Sequence, residues 1–137
     1  MVQKRKDDSK LRQSFGRCLL IDPDFFRHFY DDFLSSHEEI PPFFKNTDFK
    51  KQASLLRDAV SYCIMFSEGS PFAESVLGRL RTLHSRTKLN VHPKYYKYWQ
   101  STLILRISKT DPEFNPKLES EWHKVLQKTV DLMTAGY

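Results

Sequence analysis

All seven prolines of this chain fall in the gaps between stretches whose apolar residues recur every three or four positions. A proline inside a helix removes a backbone hydrogen bond and clashes with the preceding turn, so each one marks where a helix starts or stops. The chain therefore reads as a series of short helices, punctuated at Asp22-Pro23, Pro41-Pro42, Pro71, Pro93, Asp111-Pro112 and Asn115-Pro116. Residues 9–20 carry Leu11, Phe15, Cys18 and Leu19 on one side. Asp22 reads as an N-cap with Pro23 in the first turn, launching Phe25, Phe26, Phe29, Tyr30, Phe33 and Leu34. Pro41-Pro42 predicts a bend that turns Phe43 and Phe44 inward, and the next helix begins near Thr47 or Asp48. Its inward stripe is Gln52, Leu55, Leu56, Ala59, Val60, Cys63 and Phe66, apolar except at its head. Val76, Leu77, Leu80 and Leu83 form the stripe that ends at His84; Tyr96, Trp99, Leu103 and Ile107 follow Pro93. The last helix, after Pro116, carries Leu118, Trp122, Val125, Leu126, Thr129 and Met133. With no strand pair and no repeat, the expected architecture is all-α, six or seven helices packed ridge into groove around a central site.

At 137 residues the chain is one domain of ordinary size, expected to span 9–137 behind a flexible segment over 1–8, with no fused reductase or output domain. The longest stretch without charge, Ala59 to Ser67, is too short to cross a bilayer, and the basic start lacks the apolar run of a signal peptide, so a cytoplasmic protein without membrane contact is expected. Cys18 and Cys63 lie in apolar stretches without C-x-x-C spacing and read as reduced core residues. The net charge of +5 comes from basic residues interleaved with Asp and Glu, which favours a solvated surface over a nucleic-acid stripe.

Chemistry concentrates at His84. A neutral imidazole can ligate ferrous iron through one ring nitrogen if the other N–H finds an acceptor, and the carbonyl of Leu80, one turn earlier, is well placed. Taken alone, such a residue is better explained as a core histidine with a satisfied hydrogen bond. Gln52 is the polar outlier of its stripe: it is either at the wet end of its helix or aimed into a pocket that needs a donor. Leu56, one turn later, is a core leucine or a limit on pocket volume, and Phe44 is core packing or a ring pressed flat on a porphyrin.

The order Tyr30, Phe44, Gln52, Leu56, His84 resembles the globin family, in particular the bacterial single-domain globins and the globin domain of flavohaemoglobins. The resemblance covers about Leu11 to Met133 and rests on Phe29-Tyr30-Asp31-Asp32-Phe33-Leu34, on Phe43-Phe44, on Asp48-Phe49-x-x-Gln52-x-x-x-Leu56, on Leu83-His84-Ser85-Arg86 leading to Pro93-x-x-Tyr96-x-x-Trp99, and on Asp111-Pro112-Glu113-Phe114 with Glu121-Trp122. It implies a globin fold, a three-on-three helical sandwich with a short first helix, holding haem b through its iron on His84. Phe44, Leu56, Leu80, Tyr96 and Arg86 would contact the cofactor, Arg86 through its propionates. Tyr30 and Gln52 would be the distal donors that stabilise bound dioxygen, with nitric oxide and carbon monoxide as further ligands. Reversible gas binding is the leading function implied. Nitric oxide dioxygenation with an external reductase, and gas sensing through a separate partner, are the alternatives; oligomeric state is left open.

Two departures stand out. The resemblance puts a glutamate that hydrogen-bonds the proximal histidine two residues before Trp122, where this chain has Ser120. The stretch from His84 to Pro93 is about two residues longer than in those relatives. His28, His37, His92 and His123 are expected at the surface.

Overall fold

The computed structural model describes residues 2–137, with side chains from Lys10 onward. Six α-helices follow one another with no strand among the described residues: α1 (Val2–Ile21), α2 (Phe25–Leu34), α3 (Phe49–Ser67), α4 (Pro71–His84), α5 (Tyr96–Thr110) and α6 (Pro116–Ala135). Two short 3-10 turns, Pro41–Phe44 and Pro93–Tyr95, sit at the proline bends. α1 extends back to Val2, into the segment over 1–8 expected to be flexible, where residue 1 and the side chains before Lys10 lie outside the described residues.

The helix starts follow the capping chemistry of the sequence. Asp48 accepts from the N–H groups of Lys50 and Lys51, Ser70 from that of Ala73, and Asn115 from that of Leu118, with Pro71 and Pro116 in first turns that need no amide proton. Each such cap is worth about 1 kcal/mol. One start differs from expectation: Asp22 is not the N-cap of α2. It closes a turn instead, its Oδ1 accepting from Asp24 N–H (3.1 Å) and its carbonyl from Phe25 N–H (2.9 Å), so that Pro23 bends the chain and the cap position passes to Asp24.

The helices form two layers. α3 packs on α2 and α4, α5 packs on α1 and α6, and contacts of α4 and α3 with α6 and of α2 with α5 join the layers. Phe25, Phe29, Leu103, Leu126 and Trp122 are fully buried where the layers meet. The rings of Phe25 and Phe26 meet edge to face (4.9 Å between centroids), and Phe29 stacks on Phe33 (5.3 Å). Both cysteines are free and buried, as expected from their apolar settings. One polar cluster is enclosed at the corner between α5 and α6. Asp111 receives Ser14 Oγ–H (2.6 Å), two Arg17 N–H groups (2.6 and 2.9 Å) and the Glu113 amide (2.9 Å), while Trp122 Nε1–H donates to Ser14 Oγ (3.0 Å). No helix among the described residues is long and apolar enough to cross a membrane.

A cavity between the helix layers

A cavity of about 820 Å³ opens among α2, α3, α4, α5 and α6, within the range of small-molecule and cofactor sites. Tyr30, Phe44, Gln52, Leu56, Leu80, His84 and Tyr96 all line it. Residues spread over sixty-odd positions of sequence thus face one space, because α2 and α3 meet it from one side and the end of α4 from another.

His84 is the last residue of α4. Its Nδ1–H donates to the Leu80 carbonyl oxygen at 2.8 Å. A carbonyl can only accept, so the proton belongs on Nδ1, and Nε2 keeps a free lone pair. Burial holds the His84 pKa below its ordinary value and outweighs the opposing hydrogen bond to Leu80, so the ring is neutral at neutral pH.

Tyr30 is buried on α2, and desolvation pushes its hydroxyl up to about 12, against the hydrogen bond from Gln52. Gln52 Nε2–H donates to the Tyr30 oxygen at 3.1 Å. With its oxygen accepting, the phenol proton is left to donate elsewhere. The pair therefore has an order: Gln52 holds Tyr30, and Tyr30 presents the proton. Tyr30 is framed by the rings of Phe44 (5.5 Å) and Phe49 (5.6 Å), which limit its movement. Tyr96 faces the cavity from the start of α5, its hydroxyl also pushed up to about 12 by burial.

The bend does not turn both of its phenylalanines inward. Phe44 is half-buried against Tyr30, Phe33 and Phe49, but Phe43 is 40% exposed and packs edge-on to Tyr95 (5.3 Å) at the rim. Arg86 is exposed and absent from the cavity wall; its guanidinium lies over the Tyr137 ring at 4.8 Å. The arginine in the wall is Arg79. Ser120 lies on the exposed face of α6, whose cavity-facing residues are Thr129, Val130 and Met133, two turns and more further on. A glutamate two residues before Trp122 would not meet His84 in this fold, so the residue type at position 120 carries no information about the imidazole.

Tyr62 and Leu89 in the wall had no role in the sequence reading, Cys63, Thr129 and Met133 were read there only as members of inward stripes, and Arg79 was grouped with Arg86 and Lys88 as a cation able to pair with a propionate. Thr129 left a signal of the kind that marked Gln52, a polar residue within an apolar stripe, and it is buried. His28 and His123 are exposed, and His92 is exposed with its Nδ1 accepting from Lys94 N–H (3.1 Å). Among the described residues no group of three or more His, Cys, Asp or Glu side chains is arranged to hold a metal; a ligand nitrogen stands singly at His84.

The wall fits a large flat apolar group. Of the eight large apolar side chains exposed among the described residues, Phe43, Leu55, Leu83 and Leu89 all line this cavity. Clustered exposed apolar residues mark a binding surface rather than ordinary scatter. Together with one unprotonated imidazole nitrogen and one buried phenol, the donor set matches a metalloporphyrin: a neutral nitrogen ligand, greasy walls, and a hydrogen-bond donor within the same space.

No protein-family model and no curated protein matches this sequence. Among solved structures, the chain resembles protein PA3967 from Pseudomonas aeruginosa PAO1, described as structurally highly homologous to a human haemoglobin. The TM-score is 0.89 at 28% identity, over 95% of this chain and 97% of that one.

Proposed function

For a chain that is globin-like in fold, we propose that the cavity holds haem b through His84 Nε2 and that the protein reversibly binds dioxygen, with nitric oxide and carbon monoxide as further ligands. The observation that carries this reading is the hydrogen bond from His84 Nδ1 to Leu80, which leaves a neutral, oriented Nε2 facing a cavity that also contains Tyr30. When bound, haem supplies the iron at which a diatomic gas is held. The chain's residues supply the rest. His84 contributes a lone pair whose direction is fixed by the carbonyl one turn earlier. Tyr30 donates its phenol proton to partial negative charge on the gas, and Gln52 orients it by donating to its oxygen. Leu56, buried one turn along α3 from Gln52, limits the space beside the donor, and Phe44, Leu80 and Tyr96, which line the cavity, would pack on the macrocycle. Arg79 supports a propionate contact better than Arg86, whose guanidinium is engaged with Tyr137.

Absorption spectra of the haem-reconstituted protein in ferric, ferrous and carbon-monoxide-bound states test this. A Soret band that shifts on adding each ligand is expected, and a His84→Ala variant loses the ferrous five-coordinate signature. An unchanged ligated spectrum in that variant would refute ligation by His84.

A further inference from the structure

At one edge of the cavity three segments remote in sequence meet on a single side chain. Tyr95, in the 3-10 turn ahead of α5, lines the cavity and is half-buried. Its Oη–H donates to Glu39 Oε1 at 2.7 Å, and Lys94 Nζ stands 3.4 Å from the same oxygen. Its ring meets those of Phe43 (5.3 Å between centroids) and His37 (6.4 Å) from the α2–α3 connection, and that of His92 (6.5 Å) from the connection after α4. Hydrogen bonding from Tyr95, and then from Lys94, holds the Glu39 carboxyl below its ordinary value, while the bond to Glu39 raises the Tyr95 hydroxyl. At neutral pH the carboxylate accepts and the phenol keeps its proton, which makes the bond charge-assisted.

This edge is closed by side chains, not by backbone. Among the described residues, the backbone hydrogen bonds of the α2–α3 connection close local turns. Ile40 N–H donates to the His37 carbonyl (3.1 Å), Phe43 N–H to that of Ile40 (3.1 Å) and Thr47 N–H to that of Phe44 (3.2 Å); none reaches α5. Ile40 is fully buried and Phe44 packs on Tyr30, so the connection itself is anchored. Phe43 is the phenylalanine that this anchoring leaves at the rim, where Tyr95 meets it. A closure made of two aromatic rings opens by rotamer change, with no helix unfolded.

We propose that Tyr95, positioned by Glu39, is a latch on the cavity rim: its ring and that of Phe43 swing aside to admit or release a large flat ligand, and the bond to Glu39 sets how often they do. For haem as that ligand, the proposal rests on the reading above. Glu39 acts through Tyr95 and is a positioning residue. A latch is passed in both directions, so breaking it speeds entry and exit alike and leaves their ratio, the affinity, nearly unchanged. A residue that only supported the fold would speed exit alone.

The test uses the full chain. Transfer of haem from the loaded protein to excess apomyoglobin reads exit, the Soret change on stopped-flow mixing of haem with the haem-free chain reads entry, and urea unfolding of the haem-free chain reads the fold. Glu39→Ala and Tyr95→Phe are each expected to speed exit and entry by about three- to tenfold, the range of a charge-assisted bond weakened by solvent, with the urea midpoint unmoved. The double variant is expected to go no further than either single one, because both remove the same bond. Glu39→Gln, which keeps an acceptor for the phenol, falls between Glu39→Ala and the natural chain. Glu38→Ala, an exposed carboxylate of the same connection, changes either rate less than about twofold. Faster exit without faster entry, additive effects in the double variant, a lowered urea midpoint that accounts for the loss, or an equal effect of Glu38→Ala would overturn the proposal. Failure of the haem reading is recognised separately, since no Soret band then forms. Exchange of the apolar dye 1-anilinonaphthalene-8-sulfonate on the haem-free chain still reads the latch, and a rate unchanged by Glu39→Ala would overturn it.

Discussion

Tyr30 and Gln52 do different jobs although both face the cavity. The Gln52 amide donates to the Tyr30 oxygen, so removing the glutamine leaves the phenol proton in place but less well aimed. Hydrogen bonds to charged acceptors are worth roughly 1.5–3 kcal/mol. Tyr30→Phe is therefore expected to speed dioxygen release by on the order of ten- to a hundredfold, and Gln52→Ala by a smaller factor; ligand-replacement stopped-flow measures both. If Gln52→Ala has the larger effect, Gln52 rather than Tyr30 is the principal donor. His84 gives a pH prediction on the haem-free chain. Its folded pKa lies below the ordinary 6.5, chiefly through burial, so the unfolded chain takes up a proton first as pH falls. The folded state is thus undercut as pH drops below about 6.5, down through the folded value, and stability rises with pH across that window. Denaturant titrations from pH 7.5 to 5 should show a shallower decline in a His84→Leu variant. At this scale the sequence was a good guide to which residues line the cavity: a polar side chain in an apolar stripe is anomalous before any fold is known. Arg86 and Ser120 misled because the direction in which a side chain points depends on elements remote in sequence.

The enclosed cluster around Asp111 binds three elements: α1 through Ser14 and Arg17, the corner before α6 through Glu113, and α6 itself through Trp122. Burial raises the Asp111 pKa, but hydrogen bonds from Arg17, Ser14 and the Glu113 amide outweigh it, and the net shift is downward. The charged form is therefore favoured in the folded protein. Its contribution is complete above the ordinary carboxylate value of 3.8 and is lost as pH falls through the lower folded one. Asp111→Ala removes the acceptor and leaves Arg17 and Ser14 without it, which is expected to cost about 2–4 kcal/mol in urea unfolding at pH 7. A loss under about 0.5 kcal/mol would mean that water replaces the carboxylate without penalty. At this scale the helices were legible because proline and capping residues act locally: Asp48, Ser70-Pro71 and Asn115-Pro116 start helices wherever they stand. Asp22-Pro23 misled for a local reason too, since an aspartate can close a turn as readily as cap a helix.

For the whole molecule, the cavity links binding to stability. A ligand held only by the folded state stabilises it by an amount set by its concentration over its dissociation constant, about 4 kcal/mol at a thousandfold excess. Adding haem to the haem-free chain is expected to raise the thermal midpoint by several degrees and to displace a fluorescent apolar dye from Phe43, Leu55, Leu83 and Leu89; calorimetry and dye fluorescence read the two effects. A midpoint unmoved by haem would argue against a cofactor bound to the folded state. The sequence by itself determined the all-α class, the helix boundaries to within a turn except at the start of α1, which begins at Val2 rather than near residue 9, and the positions of Tyr30, Phe44, Gln52, Leu56 and His84 on their elements, because helical period, proline geometry and capping are properties of neighbouring residues. Only the tertiary structure decided that these five share one cavity with Arg79, Thr129 and Met133, that Phe43 stands at its rim, and that Arg86 is absent from its wall. Those outcomes depend on how two layers of helices cross, and crossing is set by packing between residues far apart in the chain, which no local pattern records.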